Sequence, residues 1–121
     1  NNRGTAKSDL GDKNGAIADY TKAIELNPQF AVAYYNRGNA KNDLGDNYGS
    51  IADYNRALEL NPQYEVAYSN RGIAKFNLGD NKGAIADYTK GIELNPKSAD
   101  AYFNRGTAQY NLGDKKSALA D

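Results

Sequence analysis

The chain has 121 residues, 40% hydrophobic and 25% charged, and its fifteen basic and fifteen acidic side chains cancel. That balance provides no positive field to draw the protein to nucleic acid or an anionic membrane, and no apolar run approaches the ~20 residues that span a bilayer. Cysteine and histidine are both absent, which removes disulfide frameworks, thiolate nucleophiles, Cys/His zinc sites and imidazole acid–base chemistry together.

The first segment, 1–30, opens at Asn1 with no initiator Met or signal sequence, and it reads as part of something longer. It ends at Asn27–Pro28, and Gly11–Asp12 divides it into two helical stretches. The second segment, 31–64, is the clearest. Its "AVAYYNRGNAKNDL" carries good helix formers, with Ala33, Tyr34, Ala40 and Leu44 at helical spacing. Gly45 is placed to take the left-handed conformation that closes this helix, and Asp46 to cap the next. "NYGSIADYNRALEL" then puts Ile51, Tyr54, Ala57 and Leu58 on one stripe. Asn61–Pro62 ends it, because proline disfavours helical geometry in the residue before it. The third segment, 65–98, repeats the second with 21 identities in 34 positions. The fourth, 99–121, is another partial copy. Breaks at every Gly-Asp and Asn-Pro predict about eight helices. Pro28, Pro62 and Pro96 mark the 34-residue period, as do Tyr20, Tyr54 and Tyr88.

Each hairpin has an apolar stripe that it cannot bury alone, and stacked neighbours bury it. The fold expected is therefore all-α: a right-handed superhelical solenoid of antiparallel helix hairpins. Residues 1–30 form partial repeat 1, 31–64 repeat 2, 65–98 repeat 3 and 99–121 partial repeat 4. Tyr34, Gly38, Gly45–Asp46, Ile51, Tyr54, Ala57 and Pro62, with their counterparts one period away, resemble the tetratricopeptide repeat family over the whole chain. Departures are local. Tyr34, Tyr68 and Tyr102 stand where the family often has Trp, Arg37 and Lys41 where Leu and an aromatic are frequent, and Ser50 where a small apolar residue is usual. The plain "LGD…AIADY" style resembles bacterial arrays, and a soluble, cytoplasmic setting is favoured.

The tripeptide "NRG" occurs at 2–4, 36–38, 70–72 and 104–106. Arg-Gly pairs are common in nucleic-acid-binding tails, but here each arginine has an acid level with it across an antiparallel hairpin. The pairs are Arg3 with Asp19, Arg37 with Asp53, Arg71 with Asp87, and Arg105 with Asp121. The structural reading is a glycine that lets two helices approach, beside an arginine whose stem covers apolar surface and whose head meets a carboxylate. Partly exposed pairs of this kind are worth ~1 kcal/mol or less. "DKNG" at Asp12–Gly15 and its relatives at 46–49 and 80–83 faintly resemble a calcium loop. The later acidic ligands are missing, so cap and turn is the reading there. No enzyme, metal or cofactor is expected.

If stacking uses the stripes above, the remaining face of the first helices lines a concave surface. That places Val32, Tyr35, Asn39, Asn42 and Asp43 there from one segment. The next contributes Val66, Ser69, Ile73, Phe76 and Asn77, and the last Asp100, Phe103, Thr107, Tyr110 and Asn111. The family resemblance implies a peptide or protein segment bound in that groove. A subset of the family grips a C-terminal carboxylate with Lys, Arg and Asn. Asn36, Asn70 and Asn104 resemble its Asn component, but the basic partners are missing, so no such clamp is expected. An apolar peptide with a basic residue suits Asp43 and Asp100 better. The alternative is a structural spacer or a self-assembling segment. Asn1 is the counterpart of Tyr35 and Asp121 of Asp87, so both end repeats are incomplete. Ala6, Leu10, Ala118 and Leu119 are then under-covered, and head-to-tail stacking of chains is expected.

Overall fold

The computed structural model describes the backbone of residues 6–120 and the side chains of residues 11–113. Among the described residues there are six α-helices and no strand. They are α1 (Ala6–Leu26), α2 (Ala31–Asp43), α3 (Asn47–Leu60), α4 (Glu65–Asn77), α5 (Asn81–Leu94) and α6 (Ala99–Ala120). The chain divides into two compact units, Asn1–Pro62 with α1 to α3 and Gln63–Asp121 with α4 to α6.

The turn between α2 and α3 is built by local chemistry. Gly45 takes φ +86°, a left-handed conformation in which a Cβ would be strained. Asp46 N–H donates to Lys41 O at 2.8 Å and Gly45 N–H to Asn42 O at 3.0 Å, the double closure that satisfies the last carbonyls of a helix. Asp46 then turns its carboxylate to accept from Gly49 N–H, opening α3. A Cβ on Gly49 would lie 2.2 Å from that carboxylate, so the cap itself requires the glycine. Gly79 (φ +88°), Asp80 and Gly83 repeat the arrangement between α4 and α5. At the opposite ends, Asn27 and Asn95 accept from the backbone two residues on, a short turn that asparagine favours.

Within each short hairpin, the second helix presses a tyrosine onto the glycine of NRG. A Cβ on Gly38 would stand 2.8 Å from Tyr54 Cε1, and one on Gly72 2.7 Å from Tyr88 Cε1. Tyr54 and Tyr88 are buried, as is Ser50, whose hydroxyl donates to Asn47 O. The arginines lie beside them. Arg37 makes a two-pronged contact with Asp53 (Nε–Oδ2 2.8 Å, Nη2–Oδ1 2.8 Å), and Arg71 does the same with Asp87 (2.9 and 2.7 Å). Each guanidinium also sits over a tyrosine, Tyr34 at 5.7 Å and Tyr68 at 5.5 Å. The hydrogen bond to the carboxylate raises both guanidinium pKa values, and burial opposes it.

Two sequence expectations need correction. The pairs are less exposed than their positions suggest: Asp53 and Asp87 are 4% accessible, and Lys41 and Lys75 add second cations at 3.2 and 3.1 Å. A carboxylate this buried is held by all its partners, so breaking the pair leaves an uncompensated charge. The count of about eight helices is also too high. No break occurs at Gly11–Asp12 or Gly113–Asp114; α1 and α6 run on as helices of 21 and 22 residues. A left-handed glycine turn is favoured where two helices bury faces against each other. The pairings of Arg3 and Asp121, and the cover on Ala6, Leu10, Ala118 and Leu119, lie outside the described side chains.

Candidate partner-binding cleft

In the first unit, α1 and α2 pack together and leave an open cleft of about 330 Å³. From α1 it takes Asp12, Lys13, Ala16 and Tyr20, and from α2 Asn36, Asn39, Ala40 and Asp43. Its apolar lining comes from Ala16, Ala40 and Tyr20. The rim is amide and acid, with Asp12 and Asp43 against the single cation Lys13. Such a surface can seat a side chain or helix face by apolar contact, offer amides to a backbone or hydroxyl, and favour a positive group at its edge.

The expected residues divide by helix. On α2, Val32 and Asp43 are exposed, and Asn39 and Asp43 line the cleft. Tyr35 tilts against Tyr54 at 5.9 Å between ring centroids, and Asn39 accepts from the Tyr54 hydroxyl. Asn42 Oδ1 is enclosed without a hydrogen-bond partner. On α4, Val66 and Asn77 are exposed. Ser69 lies where a Cβ on Gly91 would meet its Oγ at 2.9 Å. Ile73 and Phe76 pack on a buried cluster of Ala84, Tyr88 and Ala108, so this part of the stripe serves the second unit's core. On α6, Phe103 and Tyr110 are 75% and 70% exposed. Asp100 is exposed too, while Thr107 and Asn111 are half-buried, and Thr107 Oγ1 donates back to Phe103 O.

Sequence reasoning missed the α1 side of the cleft. Tyr20 reads as a core aromatic, as its counterparts Tyr54 and Tyr88 are, yet here it is half-buried and lines an opening. Lys41 and Lys75 were also missed as partners of the aspartates, although they recur one period apart, each three residues after an NRG. Among the described residues, no group of His, Cys, Asp or Glu is placed to hold a metal ion, and no helix is long and apolar enough to cross a membrane.

No curated protein sequence matches the chain. Solved structures do. The first TPR domain of Spaghetti (RPAP3) bound to the HSP90 peptide SRMEEVD is 33% identical, with a TM-score of 0.83 over 85% of this chain and 82% of that one. The NMR structure of the first TPR domain of human RPAP3 gives 33% and 0.84, covering 88% and 84%. The MamA crystal structure gives 31% and 0.82 over 93% of this chain, which spans 62% of MamA's length. The TPR repeat family model matches residues 4–45, 38–79 and 74–113. With helix faces, turn glycines and period in agreement, the chain belongs to the tetratricopeptide repeat family of helical-repeat proteins.

Proposed function

We propose that the protein is an interaction scaffold whose α1–α2 cleft takes a segment of a partner protein, an apolar stretch carrying a basic residue. The observation that carries this reading is the cleft's make-up: half-buried Ala16 and Tyr20 beside buried Ala40, among lining residues that bring two carboxylates and one ammonium. The family relation supports a protein ligand in general, since one similar domain is described with a peptide bound. That peptide, SRMEEVD, is rich in acid. Here Asp12 and Asp43 would repel such a ligand, so the charge of the cleft favours a different class of segment. Exposed Val32 on α2, Val66 on α4, and Phe103 and Tyr110 on α6 offer further apolar anchors within their own units.

The test is selection of peptides from a random library on the intact chain, followed by chemical-shift mapping. Apolar peptides with Lys or Arg should be enriched, with shifts at Tyr20, Asn36, Asn39 and Asp43. Asp43→Lys, at an exposed position, should weaken them about tenfold. Shifts clustered on Lys22, Arg56 and Lys90 would move binding to the outer helices and overturn the reading.

A further inference from the structure

The α2–α3 and α4–α5 hairpins have matching backbones and differ at one facing pair of side chains. Their turn glycines take φ +86° and +88°. A Cβ on the NRG glycine would meet the tyrosine ring at 2.8 Å in one and 2.7 Å in the other, and the arginine–aspartate prongs correspond as closely. From Gly38 and Tyr54, one turn toward Gly45–Asp46 is four residues forward on α2 and four back on α3. That step sets Asn42 opposite Ser50. In the second unit it sets Phe76 opposite Ala84, and Phe76 does pack on the cluster to which Ala84 belongs. An amide and a hydroxyl thus stand where the second hairpin has a phenyl ring and a methyl group.

The polar pair is enclosed, and its hydrogen bonding is incomplete. Ser50 has no exposed surface, and its hydroxyl proton goes to Asn47 O at 2.8 Å. The serine oxygen keeps its lone pairs but has no further proton to give. Asn42 Oδ1 is buried and accepts from no group of the protein. Two acceptors therefore face each other, and neither can satisfy the other. Three residues earlier on α2, Asn39 accepts from the Tyr54 hydroxyl; there the hairpin supplies its own donor, and at Asn42 it does not. Folded proteins rarely leave a buried carbonyl in that condition, because its lost hydration is then uncompensated.

We infer that the α2–α3 hairpin binds one water molecule between Asn42 and Ser50, which donates one proton to Asn42 Oδ1 and the other to Ser50 Oγ. The ligand must bring two donors, and it must be small because Ser50 is wholly enclosed. It must also be neutral. An ammonium ion there would be a buried charge whose nearest counter-ion on α3, Asp53, already holds Arg37 and Lys41. Water meets all three conditions, and buried waters take polar sites with two to four partners and room for about one water-sized sphere. Room of that order follows from the exchange of side chains. The two hairpins hold their helices equally close at the glycine and the arginine, yet an amide and a hydroxyl fill less space than a phenyl ring and a methyl. In α4–α5 that space is occupied and the facing side chains carry no polar atom, so the matching place is dry. The site is separate from the α1–α2 cleft, which Asn42 does not line. It gives Asn42 a role within its own hairpin, joining α2 to α3 beside the Gly45–Asp46 turn through a bridging water.

Oxygen-17 magnetic relaxation dispersion of the intact chain tests this, because it counts the waters held for longer than the molecule takes to tumble. Asn42→Phe combined with Ser50→Ala copies the α4–α5 pair into the first hairpin and should lower the count by one. Phe76→Asn combined with Ala84→Ser copies the polar pair into the second hairpin and should raise it by one. Circular dichroism establishes that each variant is as helical as the parent. A crystal structure of the unaltered chain reads the site without any substitution: a water oxygen should lie within about 3.2 Å of both Asn42 Oδ1 and Ser50 Oγ. A folded Asn42→Phe/Ser50→Ala variant with an unchanged count overturns the inference. So does a crystal structure in which the amide is reversed and its nitrogen bonds directly to Ser50 Oγ, with no water between them.

Discussion

The same three residues do different work in the two units. Ala84, Tyr88 and Ala108 are enclosed under α4, whereas Ala16 and Tyr20 are half-buried and, with buried Ala40, line an opening. Nothing in the residues themselves separates the two sets. The difference is the neighbour: Ile73 and Phe76 stand over one set, and no described helix stands over the other. In a repeat protein a side chain is core or binding surface according to the helix beside it, because each hairpin buries its stripe only against the next. Gly38 and Gly72 against Gly106 show the same contrast in steric form.

That contrast yields its largest test at the glycines. Leu at Gly72 would drive its first carbon to 2.7 Å from the Tyr88 ring and should cost about 3 kcal/mol by thermal unfolding, the upper range for overpacking. Leu at Gly106 should leave monomer stability within about 0.5 kcal/mol or raise it, since leucine is the better helix former. Equal losses at the two positions would break the comparison. Next come the side chains that cover the Ala84–Tyr88–Ala108 cluster. Phe76→Ala should cost about 2 kcal/mol, less than for a fully buried phenylalanine because the ring is only partly enclosed. Its counterpart Tyr110→Ala should leave the monomer within about 0.5 kcal/mol.

A comparable contrast applies to the arginines. Arg71→Ala strips a two-pronged contact from a buried carboxylate and should cost about 2 kcal/mol, below the range for a fully broken buried pair because Lys75 stays at 3.1 Å. Arg105→Ala should have a smaller effect on the monomer, its guanidinium meeting a hydroxyl and a ring. Urea unfolding of both variants measures the difference, and a larger loss for Arg105 would reverse the account of NRG.

What the sequence made legible was whatever a short stretch decides by itself. Gly45–Asp46 and Gly79–Asp80 turn because left-handed glycine and the aspartate cap are both local, and Asn-Pro ends a helix for reasons confined to two residues. The arginine–aspartate register followed from antiparallel geometry alone. The same letters at Gly11–Asp12 and Gly113–Asp114 stay helical, since a turn there depends on a packed partner that a 34-residue motif does not specify. The cleft was illegible for the same reason. Tyr20 has the sequence environment of Tyr54 and Tyr88, and only the three-dimensional neighbourhood separates them. The depth at which Asp53 and Asp87 sit, and the second cation each attracts, likewise belong to packing rather than to periodicity.

An effect absent at neutral pH concerns Tyr88 and appears only in alkali. Burial, with Asp87 adding to it, pushes the Tyr88 hydroxyl up to about 12, against about 10 in an unfolded chain. Between those values the unfolded state has lost its phenolic proton and the folded state has kept it. The unfolded state therefore binds fewer protons, and stability falls as pH rises from about 10 to about 12, with no further loss above. Below pH 10 the hydroxyl is neutral in both states and contributes no slope. Tyr88→Phe removes the titrating group while keeping the ring over Gly72, so its stability should decline less steeply across that window. Urea unfolding of both proteins at several pH values measures this, and an equally steep decline in Tyr88→Phe would show that the buried hydroxyl is not the source of the alkaline loss.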